Sequence, residues 1–158
     1  MASLQVRSCV GKVCPEVTSL LGRPLDYIIW YLVLATILTD SGKTILVNCL
    51  ADIGSIPVYL AGGTGAGSAA VTDTTLFSET GARVQCQVSI VTTTTANDTC
   101  RFVGTITNYG AIETITNVGL FDAASSGNLL CKADGVGQAL DTNEGLEIIW
   151  DIKITGQC

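Results

Sequence analysis

Two stretches decide the fold: Leu60-Ala-Gly-Gly-Thr-Gly-Ala-Gly-Ser-Ala-Ala-Val-Thr-Asp-Thr-Thr-Leu76 and Ile115-Thr-Asn-Val-Gly-Leu-Phe-Asp-Ala-Ala-Ser-Ser-Gly-Asn-Leu-Leu130. Ile56 to Ala61 leads into the first as a strand, and Gly62 to Thr75 reads as a loop of small residues. Its glycines permit tight turns or the close approach of another backbone. Between the two stretches, Val84, Cys86, Val88 and Ile90 alternate with Gln85, Gln87 and Ser89. Cys100, Phe102, Gly104 and Ile106 then alternate with Arg101, Val103 and Thr105. A period of two marks half-buried strands, and the polar run Thr92 to Asp98 between them is turn-like. A turn centred near Thr95 sets Cys86 opposite residue 104, so Cys86 and Cys100 sit apart on one ladder and do not bond to each other.

Outward from this centre the pattern continues. Ile112 to Phe121 reads as a strand, and Asp122 to Asn128 has the Asp, Ser, Gly and Asn content of a turn. Leu129 to Lys132 leads back, and Asp134 to Gly145 reads as a connection. In the last strand Leu146, Ile148, Trp150, Ile152 and Ile154 face one way and Glu147, Asp151 and Lys153 the other, with Ile149 as the exception. Upstream, Leu25 to Thr39 is rich in β-branched and aromatic residues and fits a buried strand, although periodicity alone leaves a helix open. Asp40 or Ser41 caps a short helix whose Ile45, Leu46, Cys49, Leu50 and Ile53 form one stripe, ended by Gly54. Residues 1–24, with Pro15 and Pro24, read as an arm lying on a neighbour or on the main domain, a disordered tail being the alternative. The expected architecture is mainly β: an antiparallel β-sandwich over 25–158 with one short helix and an extended N-terminal arm over 1–24.

The totals narrow the function. The chain has 158 residues, of which 47% are apolar and 14% charged, against about 25% charged in an average soluble domain. Surface so poor in charge points to cover by neighbouring subunits, a compact monomer being the alternative. Net charge is −6, and Arg7, Lys12, Arg23, Lys43, Arg83, Arg101, Lys132 and Lys153 are scattered, which argues against nucleic acid as a partner. There is no histidine, so Ser-His-Asp and Cys-His nucleophile systems are excluded. The seven cysteines cannot all pair within one chain and lack zinc-site spacing. Cys9, Cys14 and Cys158 are candidates for crosslinks between subunits in an oxidising medium. Reduced, buried thiols are the other reading. No signal peptide is expected at the N-terminus. The apolar run Tyr27 to Leu38 falls short of the ~20 residues that span a bilayer.

Neither glycine motif reads as a phosphate loop. Gly62 to Ser68 lacks the required Lys, and Ser41-Gly-Lys-Thr44 has Ile37 where a glycine is needed. Asp73, Glu79, Asp98, Glu113, Asp122, Asp141 and Glu144 lack the grouping of a carboxylate pair and read as solvated surface. Trp30 and Trp150 lie in apolar runs and read as core. No cofactor, metal, membrane or small-molecule substrate is expected. The candidate interaction residues are Gly62, Gly63, Thr64, Gly65, Asp122 and Asn128, in the two loops.

Thr39-Asp-Ser-Gly-Lys-Thr-Ile-Leu, Val58-Tyr-Leu-Ala-Gly-Gly-Thr-Gly, Val71-Thr-Asp-Thr-Thr-Leu with Glu79 and Arg83 behind it, and Ile115-Thr-Asn-Val-Gly-Leu-Phe-Asp-Ala together resemble small structural proteins of tailed bacteriophages. There a "GTG…TDT.L..E" loop followed by an "ITE.GLF" hairpin occurs in tail-fibre and collar-type attachment domains and in particle-surface proteins. The similarity covers roughly residues 39 to 155, with Asn117-Val118 where an acidic residue usually precedes "GLF". The resemblance implies a non-enzymatic virion component at the capsid surface, neck or tail. Such a protein is made in the host cytoplasm and assembles as a homo-oligomer with other virion proteins. The alternative is a receptor- or glycan-binding adhesin that uses the two loops.

Overall fold

The structure, a computed structural model, describes residues 2–9, 36–50, 56, 58–94, 96–108 and 110–153. Among them, nine strands and one helix follow in the order β1 (Ala2–Cys9), β2 (Thr36–Leu38), α1 (Asp40–Leu50), β3 (Tyr59–Gly63), β4 (Glu79–Gln85), β5 (Gln87–Val91), β6 (Thr99–Thr107), β7 (Glu113–Phe121), β8 (Leu129–Leu140) and β9 (Gly145–Lys153). They form a four-stranded sheet, β1-β9-β6-β5, and a five-stranded sheet, β2-β8-β7-β3-β4. These strands pair antiparallel throughout. The sandwich and its short helix are as the alternation in the sequence indicates.

The core lies between the sheets. Leu146, Ile148 and Trp150 of β9 are fully buried, with Phe102 and Ile106 of β6 beside them. Leu60, Ile115, Val118, Leu120, Leu130 and Ala133 face them from the five-stranded sheet. Trp150, read as core, is core; its indole N–H has no hydrogen-bond partner among the described residues. Trp30 and Ile154 lie outside the described residues.

Four local expectations change. Gly62 and Gly63 are buried residues of β3 rather than loop. The helix is capped by Thr39, not by Asp40 or Ser41: the Gly42 amide donates to Thr39 Oγ1 at 3.0 Å, which satisfies one of the orphan amides of the first turn. The main chain of Thr39 and the hydroxyl of Ser41 reach back to the carbonyls of Leu130 and Leu129, so the helix starts against β8. A Cβ on Gly42 would collide with the Leu130 carbonyl oxygen, so only glycine allows this approach.

The run Val84 to Ile90 is not one strand. It breaks at Cys86: β4 pairs with β3 in one sheet and β5 with β6 in the other. The hairpin register is as expected, with Gln87 opposite Val103. Cys86 and Cys100 are both free thiols. Finally, the expected connection after Asp134 is strand to Leu140. Register moves from Asn117↔Asp134 to Ile115↔Gln138, so β8 carries extra residues here. Gly135 and Gly137 adopt φ of 77° and 63° and absorb the bulge.

Candidate functional site: two loops on one sheet

Residues 64–78 fold over the outer face of the five-stranded sheet. Leu76 packs there with Ala61, Phe121 and Leu129 in a small second cluster. Gly119 makes room for it: a Cβ at that position would meet Leu76 Cδ2 at 2.9 Å and Leu129 Cδ1 at 2.8 Å. Glycines at the end of β3 and in the loop admit Phe77 in the same way. A Cβ on Gly63 would stand 2.5 Å from the Phe77 carbonyl oxygen, and one on Gly67 would stand 2.6 Å from the Phe77 ring. The spacing of the "GTGAG" run is therefore the footprint of one phenylalanine.

Polar groups fix the loop to the sheet. Asn117, fully buried in β7, accepts from the Phe77 amide at 3.0 Å and donates to the carbonyls of Phe77 and Gly65 at 3.1 and 3.2 Å. A carboxylate there could not donate to those two carbonyls, which gives the departure from an acidic residue a physical reason. Thr116 Oγ1 donates toward the Gly65 carbonyl at 2.6 Å. Asp134 accepts from the Ala69 amide at 2.8 Å, and the Val71 carbonyl accepts from the Asp40 amide at 2.7 Å.

The anchor of the loop is Lys132. Its side chain has no exposed surface, and its ammonium lies 2.8 Å from Asp73 Oδ2. It also donates to the Thr75 carbonyl at 3.0 Å and sits 3.1 Å from the centroid of the Phe77 ring. Carboxylate, carbonyl and ring face together compensate a desolvated cation. The hydrogen bond from Lys132 holds the Asp73 carboxyl below its ordinary range, against a smaller opposing effect of burial.

A second cation holds the neighbouring loop, 122–128. Arg83 of β4 makes two contacts to Glu79, at 2.8 and 3.1 Å, and lies 3.5 Å above the Phe121 ring. It donates to the carbonyls of Ala123, at 3.0 Å, and Ser126. Asp122 closes the loop by accepting from the Asn128 amide at 2.6 Å and from its side-chain amide at 3.0 Å.

The candidate residues are thus divided. Gly62 and Gly63 are buried, Gly65 is half-buried against Phe77, and Asp122 and Asn128 are engaged with each other. Thr64 is exposed, and its amide donates to the Ser78 carbonyl at 3.0 Å. Of the candidate crosslinking cysteines, Cys9 ends β1 opposite Gly145, and Cys14 and Cys158 lie outside the described residues. Cys86 and Cys131 are buried, and burial pushes both thiols up to about 12. Cys49 and Cys100 are half-buried and free.

None of the acids read as solvated surface is buried, and several of them also hold turns and partners. Asp98 accepts from the Thr93 and Thr94 amides at 2.9 and 3.0 Å, Glu113 accepts from Thr80 at 2.9 Å, and Glu144 accepts from the Asp141 amide at 2.8 Å. Sequence reasoning passed over Lys132 and Phe77, and named Asn117 and Arg83 only as motif positions without a role. The available signal was polar residues set inside otherwise apolar strands, Lys132 after Leu129-Leu130-Cys131 and Asn117 before Val118-Gly119-Leu120. Among the described residues no three His, Cys, Asp or Glu side chains group as metal ligands. No helix among them is long and apolar enough to cross a membrane. What the arrangement does is mechanical, since it clamps two loops to one sheet.

Residues 54–146 match the family model described as podophage GP4 fiber I protein gp80. The span is more than half of the chain and contains both clamped loops and strands β3 to β8. No curated protein and no solved structure matches the chain.

Proposed function

The chain belongs to the podophage GP4 fiber I protein gp80 family and is a phage structural protein of the tail-fibre type; on that premise we propose that it acts as a repeated, non-catalytic building unit of the virion. The observation that supports this reading best is the clamp on the two loops. Lys132, Asp73, Asn117 and Arg83 direct their hydrogen bonds inward, to the loops themselves. A receptor-binding loop keeps such groups, and its aromatic faces, available to a ligand. Here Phe77 covers Lys132 and Phe121 lies under Arg83. A stiff body with pinned loops suits load-bearing association better than recognition of a glycan, so the adhesin is the second reading.

Subunit contacts supply the assembly energy, and Cys9, Cys14 and Cys158 link neighbours once particles meet an oxidising medium. Support for the covalent part comes from the other four thiols, which are buried or half-buried in the sandwich. Mass spectrometry of non-reduced peptides from purified particles tests both parts. The chain should be found in the particles, with Cys9-, Cys14- or Cys158-containing peptides joined between chains. Its absence from purified particles would overturn the virion role. Its presence with only reduced cysteines would overturn the crosslinks alone. Glycan arrays probed with the purified chain decide the second reading.

A further inference from the structure

Among the described strands, four lie at sheet edges: β1 and β5 in one sheet, β2 and β4 in the other. An edge presents unpaired amides and carbonyls, and soluble proteins blunt it with charge, proline, bulges or shortness. β2 has 3 residues. β1 includes Arg7. β4 includes Glu79 and Arg83, and its register breaks between Leu60 and Gly62 of its neighbour. β5, Gln87-Val-Ser-Ile-Val91, has none of these protections.

β5 also places apolar side chains where the sandwich leaves them uncovered. Val88 stands opposite Phe102, and Ile90 opposite Cys100. Directly opposed residues of an antiparallel pair share a face, and Phe102 is 3% exposed in the core between the sheets. Val88 and Ile90 are therefore on the inner face of their sheet, yet they are 45% and 70% exposed. An inner-face pair this open is an unfinished core.

We propose that β5 is the site at which a second copy of this chain adds its own β5, antiparallel, to make one continuous sheet across two subunits. The segment is self-complementary. Centring the pair on Ser89 sets Val88 beside the partner's Ile90 and Ile90 beside the partner's Val88, on the same inner face. No residue of β5 is charged, so two copies meet no like charges across the junction. Main-chain hydrogen bonds supply attachment and the alternate side chains supply register, as in other strand additions. This inference deepens the assembly reading above by naming the surface and the partner.

Sedimentation velocity of the purified full chain, kept reduced so that the cysteines take no part, tests it. The unaltered chain should self-associate reversibly. Ile90→Lys should weaken that association about tenfold or more, since each junction then sets an ammonium group, in place of Ile90, against the partner's Val88. Ile112→Lys, at a position equally exposed but off β5, should leave it unchanged. A monomeric unaltered chain, or a folded Ile90→Lys variant that associates as tightly, overturns the proposal. Amide exchange of the unaltered chain gives a check that needs no variant: protection of 87–91 should rise with concentration, and exchange independent of concentration overturns it. Neither measurement depends on whether the chain is found in particles, so this proposal and the virion role fail separately.

Discussion

The ammonium of Lys132 lies 2.8 Å from the Asp73 carboxylate, and the two are unequally buried: Lys132 has no exposed side-chain surface, whereas Asp73 retains 20%. The pair is therefore asymmetric in what happens when it is broken. Removing the carboxylate strands a cation in the sheet, while removing the cation leaves a carboxylate that water can reach. Asp73→Asn should destabilise the fold by about 3 kcal/mol and Lys132→Met by about 1 kcal/mol. Urea denaturation of both variants checks the order, and Lys132→Met as the worse of the two contradicts the burial argument.

The same pair sets an acid limit. The carboxyl of Asp73 is held below its ordinary 3.8 in the folded protein, chiefly by the hydrogen bond from Lys132. A depressed carboxyl contributes stability that is present above its unfolded value and is lost as pH falls through the folded one. Stability should therefore decline as the medium is taken below about pH 4, and the gap between the unaltered chain and Asp73→Asn should narrow there. Urea midpoints measured across that range report it directly.

The buried thiols set an alkaline limit by the opposite sign. Cys86 and Cys131 rise from 9.0 to about 12 because burial disfavours the thiolate. Their contribution is complete below the unfolded value and is lost as pH rises from there toward the folded one. Unfolding should become easier between about pH 9 and 12, and Cys131→Ala should flatten part of that dependence. At neutral pH in the native state, half-buried Cys49 and Cys100 should take up iodoacetamide before Cys86 and Cys131 do.

Two glycines separate rigid from yielding contacts. A Cβ on Gly63 meets the backbone oxygen of Phe77 at 2.5 Å, whereas one on Gly119 meets the ends of the Leu129 and Leu76 side chains at 2.8 and 2.9 Å and backbone, the Cys131 oxygen, only at 3.3 Å. Backbone cannot step aside without releasing the loop, and leucine ends can turn. Gly63→Ala should cost about 3 kcal/mol and render 64–78 sensitive to protease, and Gly119→Ala about 1 kcal/mol without that sensitivity. Thermal melts and limited proteolysis of the two variants distinguish these outcomes.

Trp150 is fully buried, and its indole N–H finds no partner among the described residues. Trp150→Phe removes that donor along with some packing, and the two effects offset. The change should stay within about 1 kcal/mol, whereas Trp150→Ala should cost about 3 to 5 kcal/mol. Denaturant titrations of both decide it.

Alternation along β6, β7 and β9 is a local property, written in neighbouring residues, and the chain alone therefore determined the β-sandwich, the hairpin register of Gln87 opposite Val103 and the burial of Leu146, Ile148 and Trp150. The helix was legible for the same reason, to within one residue of its cap. What only the tertiary structure decided was membership and company. Residues 84–90 keep one alternating pattern through Cys86, yet β4 and β5 part there into different sheets, because a strand's sheet is chosen by partners distant in the chain. The Asp134–Gly145 stretch looked like a connection because Gly135 and Gly137 are bulge residues, which resemble turn residues when neighbours across the ladder are unseen. Lys132 and Asn117 read like any polar residue in a strand. Their roles appear only when residues 64–78 fold across them, since desolvation and hydrogen bonding depend on what covers a side chain and not on what precedes it.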